Sequence, residues 1–217
     1  MPKNYNYIYS SIKGIRQKEN SDNLLIIDEP GYGLFAVFDG VSNARHGKEA
    51  AFQAKHFIKE NYKIYINGKV DIKKLMYDLN QHLLNSELKE PYSTYCLVYY
   101  DKQSRLYYYS WLGDSRLYVI SNQFMEKITD DDSLSDHIIT KFLGASTLTW
   151  RDFRQMESTK EADHLLLCTD GFYRLLEANK LEFFDNFHKK SLTTIKEKIN
   201  SLIKGKNLDD STFIFVK

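Results

Sequence analysis

The β-prone runs of this sequence come in blocks instead of alternating with helices, and this order limits the fold more than any other feature. Three runs open the chain, three more follow one another directly, and two stand apart near its end. The predicted strands are Asn6–Lys13, Asn23–Asp28, Gly33–Phe38, Ser93–Asp101, Arg105–Leu112, Ser115–Ile120, His164–Cys168 and Ser211–Val216. Parallel sheets need a long crossover, usually a helix, between successive strands. The order therefore predicts an α+β fold of antiparallel sheets with helices outside them.

Three segments repeat apolar residues at helical spacing. The first begins near Ala50, the second runs from Ile72 to Leu83, and the third covers Leu192 to Ile203. Ser191 is the predicted N-cap of the third, because its side chain is of the type that accepts a hydrogen bond from the first helical turn. All three segments are amphipathic, so we expect each to cover one face of a sheet.

Length and composition fit one domain with a sizeable core. The chain has 217 residues, of which 42% are hydrophobic and 27% charged, and it contains no repeat and no Pro-rich or Gly/Ser-rich linker. We predict a single domain over residues 1–217. Within it, residues 129–159 lose periodicity and become mostly polar, which predicts a loop or a short mobile insertion.

Charge and cysteine usage narrow the class of protein. The formal net charge is +1, so no overall field draws the chain to nucleic acid or to an anionic membrane. No apolar run has the length of a signal peptide core or a membrane span. Cys96 and Cys168 both lie in apolar runs, which favours two buried free thiols over a disulfide. These features predict a cytoplasmic protein.

Four aspartates stand at the edges of predicted strands. Asp39 lies in FAVFDG, Asp114 in WLGDSR, Asp170 in LLLCTDG and Asp209 in LDDSTFIFV. A carboxylate at a strand end is both rigidly held and accessible, as a metal ligand must be. Several convergent carboxylates need a counter-cation, and an oxygen-only set favours Mg²⁺, Mn²⁺ or Ca²⁺ over Zn²⁺. Each Asp-Gly taken alone is more often a simple turn, so the prediction depends on the set.

In their order along the chain and in their residues, these motifs resemble those of the metal-dependent protein phosphatase family, the phosphatase 2C class. The similar segments include FAVFDGVSNARHGKEAA, WLGDSRLYVI, ITDDDS, ITKFLG, CTDGFYRLL and LDDSTFIFV, and the resemblance runs from about Gly14 to Val216. It implies a four-layer αββα sandwich, in which two packed antiparallel sheets are flanked by helices on both outer faces. It also implies a compact, bacterial-type single-domain member, with residues 129–159 as the family's variable flap.

The resemblance assigns a two-metal centre to the strand-end aspartates. It implies that Asp39 bridges two ions and that the Gly40 carbonyl binds one of them. Asp170 and Asp209 would complete the ligands of the other. The implied cofactors are Mn²⁺ or Mg²⁺, with at least two ions bound.

The resemblance also implies roles for three further residues, whose motifs match those of the family less regularly. Asp114 would help to hold a third, weaker ion, Asp22 would support the cluster, and Arg16 would bind the phosphate of the substrate. Arg16 precedes Asp22 by one residue more than the family spacing, which leaves Lys13 or Lys18 as alternatives.

One departure lies directly in the proposed site. Arg174 stands four residues after Asp170, where the family often has an acidic ligand of the third ion. This substitution weakens the prediction of a third ion, and it places a cation where it could meet the substrate phosphate.

The implied function is hydrolysis of phosphoserine and phosphothreonine in proteins. A water activated by two ions would attack phosphorus in line with the leaving oxygen, without a phosphoenzyme. The expected partners are a phosphorylated protein and a cognate Ser/Thr kinase, and the expected state is a monomer. Two alternatives stay open: a weak or inactive phosphatase-like module that binds phosphoproteins or a kinase, and a phosphohydrolase with Asp39 as nucleophile. The second is disfavoured because Val41 stands where that class carries another aspartate.

Overall fold

The computed structural model describes residues 7–135, 138–158, 163–189 and 191–217. Its strands, in chain order, are β1 (Tyr7–Ile12), β2 (Asp22–Asp28), β3 (Tyr32–Gly40), β4 (Ser93–Asp101), β5 (Tyr107–Leu112), β6 (Arg116–Ile120), β7 (Met125–Lys127), β8 (Ser133–Ser135), β9 (Ile138–Ile139), β10 (Met156–Glu157), β11 (His164–Cys168) and β12 (Ser211–Val216). Its helices are α1 (Gly47–Ile66), α2 (Ile72–Leu84), α3 (Asp170–Ala178), α4 (Lys180–Phe187) and α5 (Leu192–Ile203), and a 3-10 helix covers Trp150–Asp152.

Two five-stranded antiparallel sheets form the centre of the fold. One has the strand order β1-β12-β11-β6-β7, and the other β10-β5-β4-β3-β2. Helices α1 and α2 pack on the outer face of the second sheet, while α3 and α5 contact the outer face of the first. The predicted α+β fold, with two packed antiparallel sheets and helices on both outer sides, is confirmed.

Alternation along the strands explains how one sequence fills three core layers. On β12, Phe213 and Phe215 point to the helices, whereas Ile214 points to the facing sheet. On β3, Phe38 packs under α1 while Val37 joins the layer between the sheets. Successive strand residues face opposite sides, so a strand covered on both faces is apolar throughout.

The helix predictions are correct for the long segments with apolar residues at helical spacing, and incomplete near Asp170. The three predicted helices are α1, α2 and α5. Ser191 is the N-cap residue of α5, as predicted, although its side chain makes no capping hydrogen bond. Helices α3 and α4 were not predicted; together they cover one face of the first sheet with Phe172, Phe183 and Phe187.

Residues 129–159 form more structure than the predicted loop. A small β8–β9 hairpin and the 3-10 helix lie within this segment, and Met156 of β10 pairs with Tyr109 of β5. Arg154 also binds both carboxylate oxygens of Asp132, at 2.6 and 2.7 Å. These contacts hold the two ends of the segment together. Residues 136–137 and Thr159 fall outside the described residues.

Two further predictions can be compared with the structure. Cys96 and Cys168 are both buried, and neither forms a disulfide, as expected. Burial raises the pKa of both thiols, so they stay protonated and unreactive. Within the described ranges, no helix has the length and apolar character to cross a membrane.

Candidate metal centre

Strand register brings the predicted aspartates to one edge of the sandwich. Asp39 lies near the end of β3, directly opposite Asp22 of β2. In the other sheet β11 and β12 are neighbours, so Asp170, which begins α3 just after β11, lies close to Asp209, which precedes β12. Asp114 sits in the turn between β5 and β6. Both sheets therefore contribute carboxylates to the same edge.

A cleft of about 250 Å³ opens at this edge. Four of the predicted aspartates line it, namely Asp39, Asp114, Asp170 and Asp209. The other lining residues are Val41, Ser42, Asn43, Ile139 and Arg174. The structure thus brings together four acids from four different segments of the chain.

Asp22 lies behind the cleft and does not line it. Its side chain is buried, and its Oδ2 accepts a hydrogen bond of 2.8 Å from the Thr169 hydroxyl. Thr169 in turn accepts from the backbone N–H of Thr212, at 3.0 Å. Asp22 Oδ1 is buried with no hydrogen-bond partner. The threonines of the TDG and DDST motifs therefore fix one oxygen of Asp22 and leave the other unsatisfied.

Mutual repulsion marks Asp39 as the centre of the cluster. Burial raises the pKa of Asp39 well above its usual range, and the charges of Asp22, Asp170, Asp114 and Asp209 raise it further. Burial is also the main cause that raises the pKa of Asp170 to about 7, with additional repulsion from Asp114. Carboxylates held so close resist ionising together unless a cation offsets their charge.

Asp114 has one satisfied and one unsatisfied oxygen. Its Oδ2 accepts from the Tyr173 hydroxyl at 3.3 Å, and its Oδ1 is buried without a hydrogen-bond partner. Burial raises the pKa of Asp114, while the hydrogen bond from Tyr173 and the charge of Arg174 lower it. An unsatisfied buried carboxylate oxygen costs free energy in the protein alone, so it fits a site completed by a cation.

The two neighbouring aspartates before β12 have different roles. Asp209 lines the cleft, and its Oδ1 accepts a hydrogen bond of 2.6 Å from Gln17 Nε2. Asp210 instead accepts from the backbone N–H groups of Gly14 and Ser21, at 2.8 and 2.7 Å. Asp210 thereby fixes the loop after β1, while Asp209 faces the cleft.

The glycines that follow two of the aspartates permit close backbone packing. A Cβ on Gly40 would lie 2.4 Å from the carbonyl oxygen of Gly47, at the start of α1. A Cβ on Gly171 would lie 2.1 Å from the carbonyl oxygen of Asp210. Neither glycine has a positive φ, so close approach rather than a sharp turn explains them.

The donor set of the cleft fits a hard divalent cation. Its charged oxygen donors are carboxylates, and one buried oxygen of Asp114 has no hydrogen-bond partner, like one oxygen of Asp22 behind the cleft. Among the residues that the structure describes, no three acidic, histidine or cysteine side chains converge tightly enough to ligate one ion as they stand. Asp170 is paired with Arg174 and Asp209 with Gln17, so the cleft gathers the donors without forming a complete coordination shell.

The two candidate phosphate-binding arginines are placed differently. Arg16 lies in the exposed turn after β1, and its backbone N–H donates to the Leu208 carbonyl at 3.3 Å. Its side chain is not among those that line the cleft. Arg174 does line the cleft, and its Nη2 lies 2.9 Å from Asp170 Oδ2. The assignment of Arg16 stays a prediction.

Sequence comparison identifies the family from the same residues. The family profile described as "Protein phosphatase 2C" matches residues 14–206, a span that includes the cleft residues up to Arg174. The chain belongs to the protein phosphatase 2C family. Among curated proteins, no sequence matches it significantly.

Solved structures of this family have the same fold. The Ser/Thr phosphatase Stp1 from Staphylococcus aureus is 18% identical with a TM-score of 0.82, over 98% of this chain and 94% of that one. A serine/threonine phosphatase from S. agalactiae is 15% identical with a TM-score of 0.78, covering 97% and 98%. RsbX, solved in complex with magnesium, is 15% identical with a TM-score of 0.72, covering 96% and 92%. At these identities the likeness establishes the fold of this phosphatase 2C member.

A buried arginine of the family's GDSR motif was missed as a functional residue. Arg116 donates to both oxygens of Asp131, at 3.0 and 2.6 Å, and to Glu177 of α3 at 2.7 Å. Its guanidinium also lies over the Tyr173 ring, 3.4 Å from the centroid. Arg116 thus ties residues 129–132 to α3 and positions Tyr173, which donates to Asp114. The co-occurrence of GDSR and the DDDS segment was the signal that could have revealed this link.

Proposed function

We propose that this phosphatase 2C member is a metal-dependent serine/threonine protein phosphatase. The observation that carries the proposal is the convergence of Asp39, Asp114, Asp170 and Asp209 on one cleft, within a chain that belongs to this family. Each acid comes from a different strand end or turn, so their convergence is not a local accident of sequence.

Asp39, Asp170 and Asp209 would hold Mn²⁺ or Mg²⁺, together with the carbonyl of Gly40. We expect Asp39 to serve two ions, in line with the raised pKa that burial and the charges of the other four acids give it. Asp22 supports the centre from behind, through its hydrogen bond to Thr169. Divalent ions bound there would activate water and polarise the phosphate ester.

The proposed substrate is a phosphorylated serine or threonine in a protein. The edge of the cleft is formed partly by the flap, through Ile139, and the nearby flap residues Leu134 and Ile138 are strongly exposed. Apolar groups beside a charged cleft suit the residues that flank a phosphorylated side chain. We therefore expect residues 129–159 to influence the choice of substrate protein.

Hydrolysis of p-nitrophenyl phosphate, followed by assays on phosphoserine, phosphothreonine and phosphotyrosine peptides, tests the proposal directly. We expect activity that depends on Mn²⁺ or Mg²⁺, and loss of at least about 100-fold in Asp39→Asn. Asp185→Asn is the matched control, since Asp185 is an exposed aspartate on α4. An absence of turnover with every divalent metal would sink the proposal, and preference for phosphotyrosine would refute its substrate class.

A phosphatase-like binding module is the second candidate. The observation that favours it is the ion pair between Arg174 and Asp170, which ties up a proposed metal ligand. Calorimetric titration with Mn²⁺ separates the two functions. Tight Mn²⁺ binding without hydrolysis of any phosphopeptide would support the module.

Other expectations from the sequence stay predictions. They are the partnership with a cognate Ser/Thr kinase, the monomeric state, the cytoplasmic location and the single-domain organisation of residues 1–217. Light scattering tests the monomer, and co-purification with a Ser/Thr kinase tests the partnership.

A further inference from the structure

Arg174 holds an unusual position in the cleft. It lies on the second turn of α3, and its guanidinium pairs with Asp170, the first residue of the same helix, at 2.9 Å. Its side chain is 43% exposed, whereas that of Asp170 is only 13% exposed. The guanidinium of Arg174 is thus paired within the site and is partly exposed at the mouth of the cleft.

The base of Arg174 is rigid, which limits where its head can go. Phe172 and Tyr173 on the same turn are buried, and the Tyr173 ring packs under the guanidinium of Arg116. Arg174 can therefore change its rotamer while its backbone stays in place.

The charges of the side chains that line the cleft set Arg174 apart. Of the side chains that line the cleft in the described part of the chain, Arg174 is the one cation, against four aspartates. Divalent ions would offset the charge of the four carboxylates, and Arg174 is then the cationic side chain of the cleft lining that can face a phosphate dianion. A guanidinium is suited to that contact, because its planar N–H groups match two phosphate oxygens.

We propose that Arg174 is the residue that binds the phosphate of the substrate, and that its pairing with Asp170 is exchanged for this contact when the metal centre is loaded. The inference rests on the proposed function and names the phosphate contact of that same site. Asp170 Oδ2 cannot serve both a guanidinium and a cation fully, so a loaded centre weakens its hold on Arg174. The guanidinium then exchanges one oxyanion for another.

This assignment differs from the one that the family resemblance suggested. Arg16 is exposed in the turn after β1 and does not line the cleft. The neighbouring Gln17 contacts Asp209, so the turn already contributes to the site through another side chain. Arg174, in contrast, already lines the cleft in which a phosphate would lie.

The test is binding of inorganic phosphate to the Mn²⁺-loaded protein, measured by calorimetry and by inhibition of p-nitrophenyl phosphate hydrolysis. In Arg174→Ala we expect phosphate affinity to fall about 10- to 100-fold, the usual worth of hydrogen bonds to a charged partner. Arg174→Lys should fall in between, because lysine keeps the charge but loses the paired N–H groups. Mn²⁺ alone should bind up to about 5-fold more tightly to Arg174→Ala, because Asp170 loses a competing cation.

Two further variants complete the design. Lys180→Ala removes an exposed cation of α4 that does not line the cleft, and its phosphate affinity should be unchanged. Arg16→Ala should change phosphate affinity less than twofold. The proposal is overturned if Arg16→Ala weakens phosphate binding while Arg174→Ala does not, or if Mn²⁺ affinity is unaltered in Arg174→Ala.

The outcomes also distinguish this inference from the proposed function. A wild-type protein that binds phosphate through Arg174 but hydrolyses no ester would refute the phosphatase and support the Arg174 contact. Ester hydrolysis by the wild type, with the same KM in Arg174→Ala, would support the phosphatase and refute the Arg174 contact. Melting temperatures of all variants verify folding, and Arg174→Lys provides the conservative comparison.

Discussion

Gly171 sits where helix α3 meets the backbone that carries Asp209, and a single methyl group there should misalign the site. A Cβ built on Gly171 lies 2.1 Å from the Asp210 carbonyl oxygen and 2.9 Å from that of Asp209. Ordinary van der Waals contact begins at 3.4 Å, so about 1.3 Å of separation is missing. The obstructing atoms are backbone, which cannot rotate away, so α3 and Asp170 must move relative to Asp209.

The displacement should affect the site more than it affects stability. Overpacking of this kind costs about 1–3 kcal/mol, while alanine in a helix regains about 1 kcal/mol relative to glycine. A net loss of at most about 2 kcal/mol lowers the melting temperature of a chain this long by roughly 4–8 °C. A shift of about 1 Å between catalytic groups, in contrast, can cost about 100-fold in rate.

The experiment compares Gly171→Ala with Gly31→Ala. Gly31 is an exposed glycine at which a Cβ would meet nothing within 4 Å, so it controls for the loss of backbone freedom alone. We expect Gly171→Ala to stay folded by circular dichroism, to bind Mn²⁺ at least about tenfold more weakly, and to lose most of its phosphatase activity. Gly31→Ala should match the wild type in all three. Wild-type Mn²⁺ affinity in Gly171→Ala would refute the argument that this contact sets the spacing of Asp170 and Asp209.

Three further predictions follow from contacts described above. Gln17→Ala should weaken Mn²⁺ binding about tenfold in a calorimetric titration, because Gln17 orients Asp209; unchanged affinity would mean that the hydrogen bond has no such role. Phe172→Ala should lower the free energy of urea unfolding by about 3–5 kcal/mol, because this fully buried ring packs against aromatic rings of α4 and β12; a loss under 1 kcal/mol would contradict that packing. Burial, and then the charge of Lys217, lower the pKa of His164 below its usual range. Below about pH 6.5 the unfolded chain therefore takes up a proton at His164 that the folded chain resists, so the free energy of unfolding falls as the pH drops. His164→Phe should therefore lose less of its melting temperature between pH 8 and pH 5.5 than the wild type does, and an equal or larger loss would exclude this linkage.

Strand-end aspartates could be predicted because their signal is local. An apolar run fixes a strand, and the acid at its end then falls at the edge of a sheet whatever the rest of the chain does. Asp39, Asp114, Asp170 and Asp209 are of this kind, and all four line the cleft. The antiparallel sheets with helices outside them were predictable for the same reason, since the block order of strands needs no long-range information, whereas the packing of two sheets against each other was implied by the family resemblance.

The parts that could not be predicted depend on partners far along the chain. The loop after β1 is shaped by hydrogen bonds to Asp210, so nothing near Arg16 reveals where its side chain lies. Helix α3 spans only nine residues and follows a strand directly, so its period is too short to detect. The role of Gln17 depends on Asp209, at a sequence separation of 192 residues.

The place of β12 in the first sheet has a consequence for how the protein acquires its cleft. This strand lies between β1 and β11, and its Thr212 pairs with Ser11 from the opening of the chain. Pairing over such sequence distances closes large loops, which slows folding. A nascent chain that still lacks residues 209–216 can build the outer helical layer of α1 and α2 on its sheet, but it has neither Asp209 nor the strand that joins β1 to β11. The complete cleft should therefore form only when β12 inserts between β1 and β11.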